Sequence, residues 1–116
     1  MANILSELSN DLADVVDAAA PGVARVAARR RHPASGVVWS ADGVIVTVHH
    51  VVEREDDIRV TLDSGDAIDA ELVGRDPSTD VAVLKANASA LRPIAPADEA
   101  GARVGHLVLA LGRPGS

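Results

Sequence analysis

Near the start of the chain, apolar residues recur every three or four positions. Within residues 4–19 they fall on one side of a helical projection: Ile4, Leu5, Leu8, Leu12, Val15, Val16 and Ala19. This spacing is typical of an amphipathic α-helix. Asn3 precedes it as a candidate N-cap, and Pro21-Gly22 follows it as a stop signal. We therefore expect a helix whose apolar stripe packs against the rest of the domain or against a partner.

After Gly22 the apolar residues recur at every second position, which is typical of strands with one buried face. Short apolar segments separated by Gly-, Asp- and Ser-containing turns predict about seven strands. Their ranges are 23–29, 35–40, 44–47, 58–62, 68–73, 81–84 and 106–111. The Ala- and Pro-rich residues 86–100 predict a surface loop. Many short strands after a single helix indicate an antiparallel barrel or sandwich.

The composition favours the barrel. Apolar residues make up 47% of the 116 residues, yet there is no Phe or Tyr, and Trp39 is the only aromatic residue. Val, Ala and Leu must therefore fill the interior, and a small closed barrel is easier to fill with aliphatic side chains than a sandwich. We expect an all-β domain made of one barrel, preceded by an N-terminal helix.

The charge balance and the missing cysteines exclude several classes of function. The net charge is -6, and the only basic run, Arg29-Arg30-Arg31, is too small for a nucleic-acid footprint. Without Cys there is no disulfide, thiolate metal site or cysteine nucleophile. No signal peptide is recognised, and no segment approaches the roughly 20 apolar residues of a membrane span. As written, the chain would stay in the cytoplasm, although its natural compartment is left open.

The candidate chemistry lies around Thr47-Val48-His49-His50-Val51-Val52-Glu53. His50 follows a strand, where a short helical turn can mount it rigidly, and imidazole suits proton transfer near neutral pH. Asp80 lies where a polar turn becomes an apolar strand, so its carboxylate would need a donor such as an imidazole N–H. The residues alone leave three alternatives open: a catalytic His–Asp pair, an ordinary packed histidine with a turn-capping aspartate, or a metal site using His49 and Glu53 at i, i+4 spacing.

Motifs along most of the chain resemble those of one family, in the same order. They are Ser35-Gly36-Val37-Val38, Ala41-Asp42-Gly43, Thr47-Val48-His49-His50-Val51-Val52, Glu71-Leu72-Val73-Gly74-Arg75-Asp76, Thr79-Asp80-Val81-Ala82-Val83-Leu84-Lys85, and Val104-Gly105 with Val108-Leu109-Ala110-Leu111-Gly112. From about Ala20 to its last residue, the chain resembles the first half of HtrA/Do-type serine endopeptidases, which have the chymotrypsin-like (trypsin-like) fold.

The resemblance implies a fold and a site. The family has two six-stranded antiparallel Greek-key β-barrels. The first supplies the His and Asp of a Ser-His-Asp triad; the second supplies the Ser, the oxyanion hole and the specificity pocket. By motif, His50 corresponds to the catalytic His and Asp80 to the catalytic Asp, while His49 stands where the family more often has Asn. Residues 1–20 would form the N-terminal helix and 21–116 the first barrel. No cofactor or metal is implied, because acyl transfer by a triad needs none.

Departures from the family pattern shape the functional expectation. The sequence contains no Gly-x-Ser-Gly-Gly segment, which in the family carries the nucleophilic serine of the second barrel. Ser35, Ser64 and Ser78 do not lie in such a segment, and Ser116 is terminal. The peptide-binding PDZ module and the N-terminal aromatic residues of the family's trimer contact are also missing. We expect the isolated chain to be inactive, because its general base has no nucleophile to deprotonate.

Two functional interpretations follow. In the first, the chain is one lobe of a serine endopeptidase that cleaves protein or peptide substrates together with the missing C-terminal barrel. In the second, it is a stand-alone, non-catalytic binding or assembly module that kept the His and Asp as inherited structure. In both, the face that would meet a second barrel is exposed, so we expect the isolated chain to form a homo-oligomer.

Overall fold

The computed structural model describes residues 3–30 and 32–113. Met1, Ala2, Arg31 and residues 114–116, including Ser116, lie outside this part. The described chain forms one α-helix and six strands: α1 (Ile4–Ala19), β1 (Val23–Ala27), β2 (Ala34–Val38), β3 (Val44–Val48), β4 (Ile58–Thr61), β5 (Ala67–Asp76) and β6 (Val81–Ala86). Single 3-10 turns lie at Ala20–Gly22, His49–Val51 and Glu99–Gly101.

Helix α1 has the predicted bounds. The side-chain oxygen of Asn3 accepts a hydrogen bond from the backbone N–H of Ser6 at 2.8 Å, which is the expected N-cap. None of the residues of α1 is buried, and Ile4 and Leu5 are 82% and 77% exposed. The barrel therefore leaves most of the apolar stripe uncovered. Among the described residues, no helix has the length and apolar content needed to cross a bilayer.

The six strands pair antiparallel and close a barrel in the order β1-β2-β3-β6-β5-β4. Two of the neighbouring pairs, β3 with β6 and β1 with β4, are not consecutive in the chain, which is the Greek-key arrangement. The predicted six-stranded barrel with one preceding helix is confirmed.

The prediction of a seventh strand at 106–111 is wrong. Residues 102–113 contain no strand, and Val104, Leu107 and Val108 are 106%, 70% and 83% exposed. The continuous apolar run at 107–111 suits a buried strand, but β1 and β4 already pair with each other and close the sheet. A closed barrel has no free edge to which another strand could be added.

Aliphatic side chains fill the interior, as the composition requires. The largest fully buried side chains are Ile45, Ile58, Leu84, Val26, Val38 and Val60. Gly36 lets β1, β2 and β3 approach closely, since a Cβ there would lie 2.9 Å from Val26 Cγ2 and 3.0 Å from Ile45 Cγ2. The barrel is therefore tightly packed without aromatic volume.

Truncating the core should destabilise the barrel strongly. We expect Leu84→Ala to lower the free energy of unfolding by about 2–5 kcal/mol, because the lost methyl groups leave a cavity. Val73→Ala is the control, since that side chain is 66% exposed. Urea unfolding followed by circular dichroism measures both variants, and equal losses would contradict this description of the core.

Candidate active site

The pairing of β3 with β6 brings two distant segments together. Val48, the last residue of β3, pairs with Val81, the first residue of β6. The 3-10 turn His49–Val51 directly follows β3, and Asp80 directly precedes β6. Because antiparallel neighbours run in opposite directions, the residues after one strand lie beside those before the other. Two residues that are 30 positions apart in the chain thereby become neighbours.

Asp80 bonds to the facing turn through both its backbone and its side chain. The His49 N–H donates to the Asp80 carbonyl oxygen at 3.0 Å, and the His50 N–H donates to Asp80 Oδ1 at 2.9 Å. The His50 ring atom Nδ1 lies 2.6 Å from Asp80 Oδ2. The two side chains are 66% and 44% exposed, so the pair lies on the open rim of the barrel. The structure thus brings together both site residues predicted from the sequence.

The contact determines the tautomer of the imidazole. An ionised carboxylate can only accept a hydrogen bond, so Nδ1 of His50 carries the hydrogen. In the neutral ring, Nε2 then holds a lone pair, as a general base requires. The hydrogen bond from His50 is the main reason that the pKa of Asp80 lies below its ordinary value of 3.8, and partial desolvation opposes it. The carboxylate is therefore ionised at neutral pH.

The backbone at Asp80 adopts an uncommon conformation. Its φ is +58°, in the left-handed region that few residues other than glycine adopt, although Asp tolerates it better than most. Asp80 ends the four-residue loop 77–80 between Asp76 and Val81, which pair with each other across the β5–β6 hairpin. The carboxylate is thus mounted on a tight turn rather than on a mobile loop.

The helical turn that the metal alternative requires, with His49 and Glu53 on one face, is not formed. The helical part ends at Val51, and the Glu53 N–H donates instead to the Ala28 carbonyl at 2.9 Å. The His49 Nδ1 is buried and has no hydrogen-bond partner in the described part of the chain. Within residues 3–30 and 32–113, no three His, Asp or Glu side chains are grouped to hold a metal ion.

The hydroxyls of the three serines considered from the sequence are engaged elsewhere. Ser35 Oγ accepts from the Arg113 N–H at 2.7 Å. Ser64 Oγ donates to an Asp66 carboxylate oxygen at 3.1 Å, and Ser78 Oγ donates to Asp76 Oδ1 at 2.7 Å. Ser116 lies outside the described residues. In the described part of the chain, no hydroxyl hydrogen-bonds to the His50 ring.

Sequence reasoning expected an exposed face for a second barrel but did not locate the apolar groove that starts beside the pair. It has a volume of about 600 Å³, and its apolar lining includes Val37, Val46, Val48, Val81, Leu109 and Leu111. Val48 and Val81 directly adjoin the two site segments. The signal was present in β3, where Val44–Val48 is apolar at almost every position rather than at alternate ones. The inner face of such a strand packs in the barrel core, and its apolar outer face is favourably buried against another part of the protein or a partner.

Comparison with known proteins identifies the family. The sequence profile described as "Trypsin-like peptidase domain" matches residues 34–116, which contain both His50 and Asp80. The chain belongs to this family. Among trypsin-like peptidase domains, its relatives are of the HtrA type, in agreement with the motifs read from the sequence.

Three curated relatives illustrate the similarity. A probable periplasmic serine endoprotease DegP-like from Halomonas elongata is 45% identical over 94 residues, covering 81% of this chain and 20% of the relative. Serine endoprotease DegS from Haemophilus influenzae is 45% identical over 80 residues, covering 69% and 24%. Serine protease HTRA2, mitochondrial, from Bos taurus is 38% identical, covering 90% and 25%. The chain thus spans about a fifth to a quarter of these relatives.

A solved structure supports the same assignment. The crystal structure of the serine endoprotease from Yersinia pestis superposes with a TM-score of 0.66 at 39% sequence identity. The match covers 74% of this chain and 32% of that protein. The barrel therefore has the architecture of one part of a trypsin-like serine endoprotease.

The lowered pKa of Asp80 predicts a contribution to stability that acid removes. A carboxylate whose pKa is depressed by folding stabilises the folded state above its ordinary pKa, here 3.8, and the contribution is lost as the pH falls through the folded-state pKa below it. We expect Asp80→Asn to be destabilised near neutral pH, and its difference from the wild type to shrink below about pH 4. Urea unfolding across this range measures the difference.

The matched control is Asp69→Asn, which alters a carboxylate that is 83% exposed on β5. Its effect on the free energy of unfolding should be small. A difference between Asp80→Asn and the wild type that stays constant down to the most acidic pH would contradict the assigned hydrogen bond.

Proposed function

We propose that this barrel is the lobe of an HtrA-type serine endopeptidase that supplies the general base and its orienting carboxylate. The observation that carries the proposal is the 2.6 Å contact between His50 Nδ1 and Asp80 Oδ2 on the open rim of the barrel. Family membership and the HtrA-type relatives, which are described as serine proteases, support the same reaction class. The substrate class is protein or peptide, and no cofactor is needed.

In the proposed reaction, His50 Nε2 takes the proton of a serine hydroxyl as its oxygen bonds to the scissile carbonyl carbon. The protonated ring then gives that proton to the leaving amine, and the acyl group stays on the serine. Water, deprotonated by the same ring, releases the acid and regenerates the hydroxyl. Asp80 holds the ring in the tautomer that leaves Nε2 free and stabilises the positive charge of the imidazolium.

The nucleophile would come from a second barrel packed on the apolar groove. The groove begins at Val48 and Val81, so a lobe seated there would lie next to the His–Asp pair. Leu109 and Leu111 line it as well, which places the chain that leaves the barrel along the same surface. The relatives are four to six times longer than the part that this chain matches. The isolated barrel should then have no peptidase activity.

A chimera tests the proposal directly. The 94-residue region of the Halomonas elongata relative that this chain matches would be replaced by the corresponding residues of this chain. We expect hydrolysis of an unfolded protein substrate, and a loss of about 10⁴-fold or more in kcat for His50→Ala or Asp80→Asn. His49→Asn is the matched control at the neighbouring position and should retain activity.

The same chimera separates the two interpretations. A fluorophosphonate probe should label the chimera at a serine of the relative and should leave the isolated chain unlabelled. A folded chimera with no activity would favour a non-catalytic binding module. Labelling of the isolated chain at one of its own serines would contradict the assignment of the nucleophile to another lobe.

We also infer that the isolated chain self-associates through α1. Its apolar stripe is mostly uncovered, and Glu7, Asp11 and Asp14 follow one edge of that stripe at helical spacing. Along the opposite edge lie only small, uncharged residues: Ser6, Ser9 and Ala13. In a parallel pair of helices, the acidic edge of each copy would face the uncharged edge of the other. A second copy therefore fits the stripe without opposing rows of like charge.

Sedimentation velocity at micromolar concentration tests this self-association. We expect a concentration-dependent dimer that Leu8→Gln weakens about tenfold or more, because it removes an apolar side chain from the centre of the stripe. Asn10→Gln, on the polar side of α1, is the control and should leave the association unchanged. A strict monomer, or equal behaviour of the two variants, would contradict the inferred contact.

A further inference from the structure

Two consecutive residues near the end of β5 each hold one of the segments that carry the His–Asp pair. Arg75 pairs with Ala82 across the hairpin, and Asp76 pairs with Val81. Arg75 bonds to the segment that follows His50, and Asp76 bonds to the loop that leads into Asp80. The two side chains thus reach opposite halves of the site from one rigid strand end.

Arg75 restrains the segment that follows the histidine. Its Nη1 donates to the carbonyl oxygen of Val52, the C-cap residue that directly follows the 3-10 turn of His50. Its Nη2 donates to Glu55 Oε1 at 3.0 Å. The Arg75 side chain is only 25% exposed, so these charge-assisted bonds are partly shielded from water. The guanidinium therefore ties the chain after the turn to the hairpin that carries Asp80.

Asp76 organises the loop on the other side. Its Oδ1 accepts from both the N–H and the Oγ–H of Ser78, at 3.0 and 2.7 Å, and its Oδ2 accepts from Thr79 Oγ1 at 3.0 Å. The bonds from Ser78 are the main reason that the pKa of Asp76 lies below its ordinary value. Aspartate commonly stabilises a tight turn by bonding two residues ahead in this way. The next residue after this capped pair is Asp80.

The left-handed backbone of Asp80 makes such restraints necessary. A residue with a Cβ is disfavoured at φ +58°, so its neighbours must hold it there. Asp76 fixes the two residues that precede it, and the ladder of β6 fixes those that follow. With Arg75 restraining the other side, both partners of the 2.6 Å contact are anchored to one strand end.

We propose that Arg75 and Asp76 are positioning residues for the His50–Asp80 pair. Asp76 sets the direction in which the Asp80 carboxylate points. Arg75 sets the position, relative to the β5–β6 hairpin, of the turn that carries the imidazole. The catalytic consequence rests on the proposed function, whereas the effect on the geometry of the pair can be measured in the isolated chain.

Nuclear magnetic resonance of the isolated chain tests the proposal. In the wild type, ring ¹H–¹⁵N correlations should show His50 mainly as the Nδ1–H tautomer. In Asp76→Ala and in Arg75→Met we expect the fraction of that tautomer to fall about twofold or more, because the acceptor moves away from Nδ1. The pKa of Asp80, read from its ¹³C carboxyl shift, should rise towards its ordinary value.

Conservative variants and a control complete the design. Asp76→Asn keeps an acceptor for Ser78 and should retain most of the wild-type fraction of the Nδ1–H tautomer of His50. Arg75→Lys should retain part of it. Asp69→Ala removes an exposed carboxylate from the same strand and should change neither the fraction of the Nδ1–H tautomer of His50 nor the pKa of Asp80.

If Asp76→Ala does not fold, Thr79→Val is measured in its place, because it removes only the bond to Asp76 Oδ2. In the active chimera, Asp76→Ala should lower kcat about 10- to 100-fold with KM unchanged.

The outcomes separate this inference from the proposed function. Folded Asp76→Ala and Arg75→Met proteins with a wild-type tautomer and a wild-type Asp80 pKa would overturn the positioning role and leave the proposed function standing. A wild-type protein without the Nδ1–H tautomer would overturn the pair itself and, with it, both proposals.

Discussion

The site depends on the register between β3 and β6. Val48 pairs with Val81, so the turn after one strand must meet the residue before the other. A shift of one residue would reverse the faces of β6 and move the buried Ala82 and Leu84 to the outside. The aliphatic core thus fixes the register, and the register fixes the His–Asp contact. The pairing of the two strands, rather than an attraction between the two site residues, therefore brings His50 and Asp80 together.

Much of this arrangement follows from local patterns, and the remainder depends on tertiary closure. The amphipathic spacing of α1 and the short, turn-bounded apolar segments of β1 to β4 predict those elements within one or two residues. The segment 106–111 is equally rich in apolar residues but stays irregular, because strand pairing depends on an available edge and the barrel has closed. Local spacing carries no information about which edges remain free.

The end of β5 shows a second limit of sequence patterns. Alternation predicts a strand over 68–73, whereas β5 extends to Asp76. The register shifts between Leu72 and Gly74, so the alternation changes phase there and the sequence pattern predicts the end of the strand too early. Arg75 and Asp76 lie beyond that shift. His50 and Asp80 could be found by their motifs, but the residues that hold them could not, since their role depends on contacts across the barrel rim.

The left-handed backbone at Asp80 also limits how this lobe can diverge. Glycine accepts such a φ freely, and asparagine and aspartate accept it at a lower cost than other residues that carry a Cβ. A descendant in which the proposed catalytic role of this carboxylate is lost would still have to keep the hairpin bend. We therefore expect non-catalytic descendants of this barrel to carry Gly or Asn at the position of Asp80, whereas β-branched residues should be rare there in any descendant.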